Sequence, residues 1–248
     1  MNKNQKILLL VEGEKAEKEL LERVFNEYNL SLNYQIYPYK TNIYVLYQTM
    51  FKGNEDSLDS LDLLRFLKSK DLGNVLFDEN FSDILLVFDY DPQDPNFSFD
   101  KIKLMQDYFN ESTDNGKIYI NYPMIESYKH FKSLPDDEYM NRTVGLSQIK
   151  TYKTIVNRES KFQDIRRIKR EHFDKIISYN IDKIDLLIHG IYNTITLKNK
   201  YINIDLEELL SFQNETLEKN NYLYVVNTCL FFICDYNINL IAVEIENV

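Results

Sequence analysis

Apolar positions along the chain follow two rhythms. Residues 6–12, KILLLVE, form a short apolar run that stops at Gly13, and the stretch after it, KAEKELLERVFNEY, carries Leu20, Leu21, Val24, Phe25 and Tyr28 at helical spacing. This predicts a strand, a tight turn and an amphipathic helix. The alternation continues. Residues 33–39, NYQIYPY, read as a strand, and 42–51 and 58–69 as helices, the second with Ser57 or Ser60 as its N-cap. Residues 83–89, DILLVFD, are a second continuous apolar run, followed by turn material, DPQDP. Residues 99–109 pattern as an amphipathic helix, Asn115-Gly116 interrupts, and 117–123 form a further strand. Continuous apolar strands suit a sheet covered on both faces. Strands alternating with helices from residue 6 to about 134 predict an α/β fold, a mostly parallel sheet flanked by helices and joined by right-handed crossovers.

The pattern changes after Pro135. Residues 145–235 hold long helix-compatible segments and few strand signals. A boundary there divides the chain into an α/β region, 1–135, and a mainly helical region, 136–248. The closing INLIAVEIENV reads as a short strand or a helix end.

Composition narrows the class. In 248 residues, 44% are hydrophobic and 27% charged, which is globular and sufficient for a buried core. No apolar run has the length of a membrane span. The first fifteen residues lack the longer apolar stretch of a signal peptide, so a cytoplasmic protein with no membrane association is expected. Cys229 and Cys234 have no second pair or nearby histidine to complete a metal site, and read as buried free thiols. The net charge of −10 argues against a general nucleic-acid coat protein, but leaves room for a metal-dependent nuclease, whose site is itself acidic.

Ligands of open α/β sheets bind at the carboxyl ends of the strands. At those ends stand Glu12 before Gly13, then Asp89 and Asp91 with Asp94 close behind, and finally Glu126 after the last strand. An Asp-x-Asp pair on extended backbone aims both carboxylates to one side. With Glu12 from a neighbouring strand it makes the hard-oxygen set that Mg²⁺ takes alongside water and phosphate. Each acid also has a plainer reading. Glu14 and Glu17 favour the dipole of a first helical turn, as does Glu126, and Asp94 suits a turn.

VEGEKAE (residues 11–17) and VFDYD (87–91) resemble the two signature motifs of Toprim domains, found in topoisomerases, bacterial primases, ribosomal-RNA maturases and overcoming-lysogenization-defect nucleases. EGEKAE is similar to the opening of small phage-defence effectors of the RloB-like and AriB-like kinds, and YPMIESYKHF (122–131) to the acidic segment after their last core strand. The resemblance covers about residues 5–135. It implies Glu12 as a metal ligand or general acid/base and Asp89 and Asp91 as metal-binding aspartates. It further implies Glu17, with Glu14 competing, as a second first-motif glutamate, Glu126 as an extra ligand, and Mg²⁺ or Mn²⁺ as cofactor. No tyrosine stands out as a topoisomerase nucleophile and no primase-type zinc module is present, so the implied chemistry is phosphodiester hydrolysis.

Residues 150–175 hold nine Lys or Arg against four acids, a local excess of five positive charges in an acidic chain. Arg158, Lys161, Arg166, Arg167, Lys169 and Arg170 are its candidate nucleic-acid contacts. Two other readings stand beside that one: a solvated helix face laced with pairs such as Arg167 with Glu171, and a docking surface for an acidic protein. Tyr152 and Phe162 fit core packing better than base stacking. The expectation is a Mg²⁺-dependent endonuclease of DNA or RNA, transfer RNA included. By resemblance it acts in antiviral defence under an ABC-type ATPase partner, and its helical half leaves assembly into a homo-oligomer open. The alternatives are a non-hydrolytic metal- or nucleotide-binding regulatory subunit and an RNA-processing maturase.

Overall fold

The computed structural model of the chain describes residues 6–30, 33–55, 57–70, 81–190 and 195–242. Of the closing INLIAVEIENV, Ile238–Leu240 form a 3-10 turn, and residues 243–248 lie outside the described residues. The fold is α/β, with a five-stranded, mostly parallel sheet, flanking helices and a mainly helical C-terminal region. The chain divides into two compact units. The first draws on Met1–Lys18, Ser31–Phe88 and Asp94–Tyr119, the second on Glu19–Leu30, Asp89–Gln93 and Ile120–Val248.

The sheet begins with β1 (Lys6–Val11), which leads through Gly13 into α1 (Ala16–Glu27) and then β2 (Asn33–Pro38). α2 (Ile43–Leu46) is capped by the Asn42 side chain, which accepts from Val45 N at 3.1 Å, and runs on into a π-helical turn, Tyr47–Phe51. α3 (Leu63–Ser69) starts later than the sequence predicts. Leu58–Ser60 is a separate 3-10 turn in which the Ser60 hydroxyl donates to the Ser57 carbonyl at 2.7 Å. The cap is neither serine but Asp62, whose carboxylate accepts from Arg65 N at 2.9 Å. Then come β3 (Asp83–Asp89), α4 (Phe99–Tyr108), β4 (Asn110–Glu111) and β5 (Gly116–Asn121).

The strand order is β2-β1-β3-β5-β4. β1 runs parallel to both neighbours, with Val11 opposite Pro38 and Val87, while β4 and β5 are antiparallel. Leu8 to Val11 and Ile84 to Phe88 are buried without alternation, as strands covered on both faces must be. Gly116 is required where it stands: its φ is +114°, and a Cβ would lie 2.8 Å from Leu86 Cδ1. In the same unit the Phe51 ring meets Tyr108 and Phe109 edge-on, at 5.3 and 5.6 Å.

The second unit contains β6 (Thr143–Gly145), α5 (Tyr152–Glu159), α6 (Arg170–His189), α7 (Leu197–Ile202), α8 (Leu206–Asn220), β7 (Tyr222–Tyr224) and α9 (Phe232–Asn237). β6 and β7 pair antiparallel. α6 buries Phe173, Ile176, Ile177, Ile181 and Ile184 along one face. It ends on Gly190 at φ +71°, in the left-handed conformation that closes helices. The boundary expected at 135–136 falls inside this unit, which also holds the length of α1 from Glu19 onward and the short segment Asp89–Gln93. Phe25 packs on Phe232, ring centroids 5.3 Å apart, and the Tyr28 hydroxyl donates to Asp174 Oδ1 at 2.7 Å. The segment around 136–142 is fixed by buried ionic groups. Arg142 Nη1 donates to Asp136 Oδ2 (2.8 Å) and to the His130 carbonyl (2.7 Å). Lys183, fully buried, donates to the carbonyls of Tyr139 and Arg142 at 2.8 and 2.9 Å.

Candidate active site

β1 and β3 pair in parallel; Glu12 directly follows β1, and Asp89 closes β3. Within the first unit Glu12 holds the sheet edge through its backbone. Its N–H donates to the Val87 carbonyl at 3.2 Å, and its carbonyl accepts from Lys40 N at 2.9 Å. Glu17, in the first turn of α1, is buried and folds back over the β1–α1 turn. A Cβ at Gly13 would stand 2.7 Å from Glu17 Oε2, so the glycine of the first motif makes room for that carboxylate. Glu14 turns elsewhere, into an exposed ion pair with Lys40. The Glu-Gly-x-x-x-Glu spacing therefore has a local physical meaning: the first-turn acid can lie over the turn because the residue after the strand-end acid carries no side chain.

Within the second unit, the segment Asp89–Gln93 and the chain from Asn121 to His130 are tied together. Tyr90 N donates to the carbonyls of Asn121 and Pro123 (3.1 and 3.2 Å), and Asp91 N to that of Pro123 (3.4 Å). Between the two acids Tyr90 is fully buried, its ring 5.1 Å from that of Tyr122, and Gln93 reaches across to the Leu146 carbonyl. Asp89 Oδ1 accepts from Ile125 N at 2.8 Å, at the start of the 3-10 helix Ile125–Lys129 that carries Glu126. Three of the acids singled out in the sequence, Asp89, Asp91 and Glu126, are thus delivered by two neighbouring segments of one unit.

The expected geometry of the Asp-x-Asp pair is corrected in one respect. The strand ends at Asp89, and Asp91 has φ +29°, so the two aspartates do not share one extended backbone. A residue before proline is pushed toward extended conformations, and one with a side chain avoids positive φ. Asp91, followed by Pro92, breaks both preferences. Asp94 is the turn residue its setting implies, accepting from Asn96 N (2.7 Å) and from Asn42 Nδ2 (2.6 Å).

Glu126 is one-twentieth exposed, and its Oε1 lies 2.7 Å from Lys153 Nζ on α5, an ammonium that is itself mostly exposed. Lys129 lies near the same pair. Burial lowers its pKa, Glu126 works the other way, and the Lys153 charge adds to the lowering. α5 is laid along 125–131 by further bonds. Ser160 Oγ donates to the Lys129 carbonyl at 2.5 Å and Lys161 N to the Phe131 carbonyl at 3.0 Å. His130, which trails Glu126 by four residues, is buried between Tyr152 Oη (3.0 Å) and Glu159 Oε2 (3.3 Å). Burial holds its pKa down to about 4, so the imidazole is neutral at neutral pH. Tyr152, wholly buried, stays protonated, its pKa raised well above the usual value by desolvation.

The basic stretch is not one helix. It runs from the 3-10 helix Leu146–Thr151 through α5, an irregular link, the short turn Ile165–Arg167 and the start of α6. The candidate contacts accordingly differ. Arg166 is clamped on Asp164 (Nε to Oδ1, 2.9 Å), and Arg167 also leans on Asp164 (3.8 Å) and not on Glu171, the pair that the solvated-face reading offered. Arg170 is occupied by the Leu240 carbonyl (2.6 Å) and the Tyr28 ring. Arg158 pairs with Glu159 at 2.7 Å, and Lys161 and Lys169 are exposed.

The acids are carboxylate oxygens throughout, a donor set suited to Mg²⁺, which takes one or two carboxylates and completes its octahedron with water and substrate phosphate. Among the described residues no three His, Cys, Asp or Glu side chains are gathered into a ready-made cage. Cys229 and Cys234 are buried free thiols, and no helix among the described residues is long and apolar enough to cross a membrane. Compared with known protein families, curated proteins and solved structures, the chain matches none.

Proposed function

We propose that the chain is a Mg²⁺- or Mn²⁺-dependent endonuclease of the Toprim type, cleaving phosphodiester bonds of DNA or RNA. Asp89 and Asp91 would hold the ion, with Glu12 as shared ligand or proton acceptor and Glu17 and Glu126 as further oxygen donors. The ion, when bound, would supply charge neutralisation at the phosphate and a more acidic water. The observation that carries the reading is the 2.8 Å bond from Ile125 N to Asp89 Oδ1, which brings the segment bearing Glu126 to the strand end bearing Asp89. The unfavourable backbone of Asp91 also supports it, since strain of this kind collects at working sites. Control by an ABC-type ATPase and a role in antiviral defence rest on the motif resemblance alone.

A second reading, a non-hydrolytic metal- or nucleotide-binding subunit, has its own support. Asp89 acts as a backbone acceptor and Glu126 as an ion-pair partner, both of which are structural duties.

The experiment is a cleavage assay with plasmid, single-stranded DNA and total transfer RNA, in Mg²⁺, Mn²⁺ or EDTA, with wild type and Asp89→Asn. Asparagine keeps an oxygen for Ile125 N and removes the charge. Metal-dependent cleavage that the variant lacks is the expected result. Cleavage retained in the variant sinks the site. Metal-dependent thermal stabilisation with no cleavage of any substrate, alone or co-expressed with a neighbouring ATPase, favours the binding subunit.

A further inference from the structure

We propose that Lys153 is an exchangeable internal cation: its ammonium holds the Glu126 carboxylate until a divalent ion claims that carboxylate, and ion binding moves the lysine off. The proposal rests on the reading of Asp89 and Glu126 as metal-binding acids. The two partners of the pair are unlike. Glu126 Oε1 and Lys153 Nζ lie 2.7 Å apart, yet the glutamate side chain is 6% exposed and the lysine side chain 64%. A carboxylate so buried needs a cation beside it, because water cannot screen it. The lysine is under no such constraint. Its ammonium rides on a flexible four-carbon stem that is already mostly in solvent, so it can leave without being stranded. One partner is fixed and the other can be exchanged.

The surroundings give the exchange its consequence. Glu126 follows Ile125, whose N–H donates to Asp89 Oδ1 at 2.8 Å. The charges of Glu126 and Asp89 both act on Tyr152, the residue before Lys153, so both acids lie within electrostatic reach of the start of α5. The Tyr152 hydroxyl is tied to His130 Nδ1 at 3.0 Å, which keeps the helix in place while the lysine stem turns. A divalent ion on Asp89 would bring like charge toward the ammonium and compete for the same carboxylate. While the pair is closed, the apparent affinity for the ion is lowered by the fraction of closed sites. Among the described residues Glu126 has its ion pair with Lys153. Lys129 also bears on Glu126 by its charge but reaches Asn157 Oδ1, at 3.4 Å, and so serves as the comparison: a cation near the carboxylate and not paired with it.

The test is isothermal titration of the full chain with Mn²⁺ at fixed pH and physiological salt. Lys153→Gln is expected to bind the ion roughly five- to tenfold more tightly than wild type, and Lys129→Gln to stay within about twofold. Lys153 also interacts elsewhere, and a Glu126→Gln background isolates what the pair contributes: there the gain from Lys153→Gln should vanish. Equal gains in the two lysine variants, a gain that survives Glu126→Gln, or no gain overturns the exchange. Should Lys153→Gln fail to fold, the same question is put to wild type by amine labelling at fixed pH, read by peptide mass with and without Mn²⁺. Labelling of Lys153 should rise about twofold or more with the ion while that of the exposed Lys161 holds steady. Unchanged labelling of Lys153 overturns the exchange. The cleavage assay run beside these measurements separates the two readings. Metal-dependent cleavage by wild type without the gain removes the exchange and keeps the nuclease. The gain without cleavage of any substrate keeps the exchange and favours the binding subunit.

Discussion

His130 shows how one buried side chain sets a pH window. Its imidazole is held neutral, with a pKa of about 4 against an ordinary 6.5; burial is the main cause, the Arg142 and Lys183 charges add to it, and the contact with Glu159 opposes it. The unfolded chain therefore binds a proton that the folded one refuses. Stability is full above about 6.5 and falls as the pH descends through 6.5 toward 4, by about 2–3 kcal/mol. Urea unfolding at steps across that range should show the fall, and His130→Gln should flatten it. A profile unchanged by the substitution would mean that other groups carry the acid sensitivity. Gly13 is the second residue whose role can be isolated. In Gly13→Ala the new Cβ meets only the end of the Glu17 side chain, so the fold should lose no more than about 1 kcal/mol while the carboxylate is displaced. Thermal melts and the cleavage assay should then separate, activity falling far more than stability. Parallel losses would make Glu17 a structural acid.

At the scale of elements, α6 offers the cleanest measurement. Gly190 has φ +71° and a Cβ there would meet no atom of the described residues within 4 Å, so Gly190→Ala tests backbone conformation and should cost about 1 kcal/mol in chemical denaturation. β1 and β3 were legible in the sequence because five or more consecutive apolar residues ending at an acid have few other uses. α1 was legible from its spacing. The start of α3 was not, because Ser57, Ser60 and Asp62 are all acceptable caps in isolation, and the choice fell to Asp62 once the Ser60 hydroxyl was spent on the Ser57 carbonyl. β6 and β7 are three residues each and leave too little alternation to detect. The charge pattern of the basic stretch does not mark where its helices end. Ser160 bonds Lys129 and Asp164 caps the next turn, so the run is broken. The candidate acids could be picked out by their place after strands. The bond from Ile125 to Asp89 and the pair of Lys153 with Glu126 could not, since they join residues 36 and 27 positions apart with no local signature.

For the whole molecule, the acids carry a consequence that can be read without a substrate. On the proposed reading the acids bind Mg²⁺, and an ion that binds only the folded state stabilises it by mass action. Added Mg²⁺ should raise the melting temperature of wild type relative to EDTA, and Asp89→Asn should lose most of that rise. At a free Mg²⁺ concentration about a hundredfold above the dissociation constant the gain is about 2.7 kcal/mol. An equal rise in the variant would assign the effect to general screening.

Asp91 places stability and chemistry on opposite sides of one residue. Its backbone, at φ +29° and followed by proline, is a conformation in which glycine is at ease and aspartate is not. Asp91→Gly should therefore raise the unfolding free energy by roughly 1 kcal/mol while removing the carboxylate and the cleavage with it. A variant that is sturdier and inert would mark the second motif as a point where the chain accepts a weaker fold to keep a working group. If sturdiness and activity fall together, Asp91 is held in place by its side-chain bonds, and its carboxylate belongs to the scaffold.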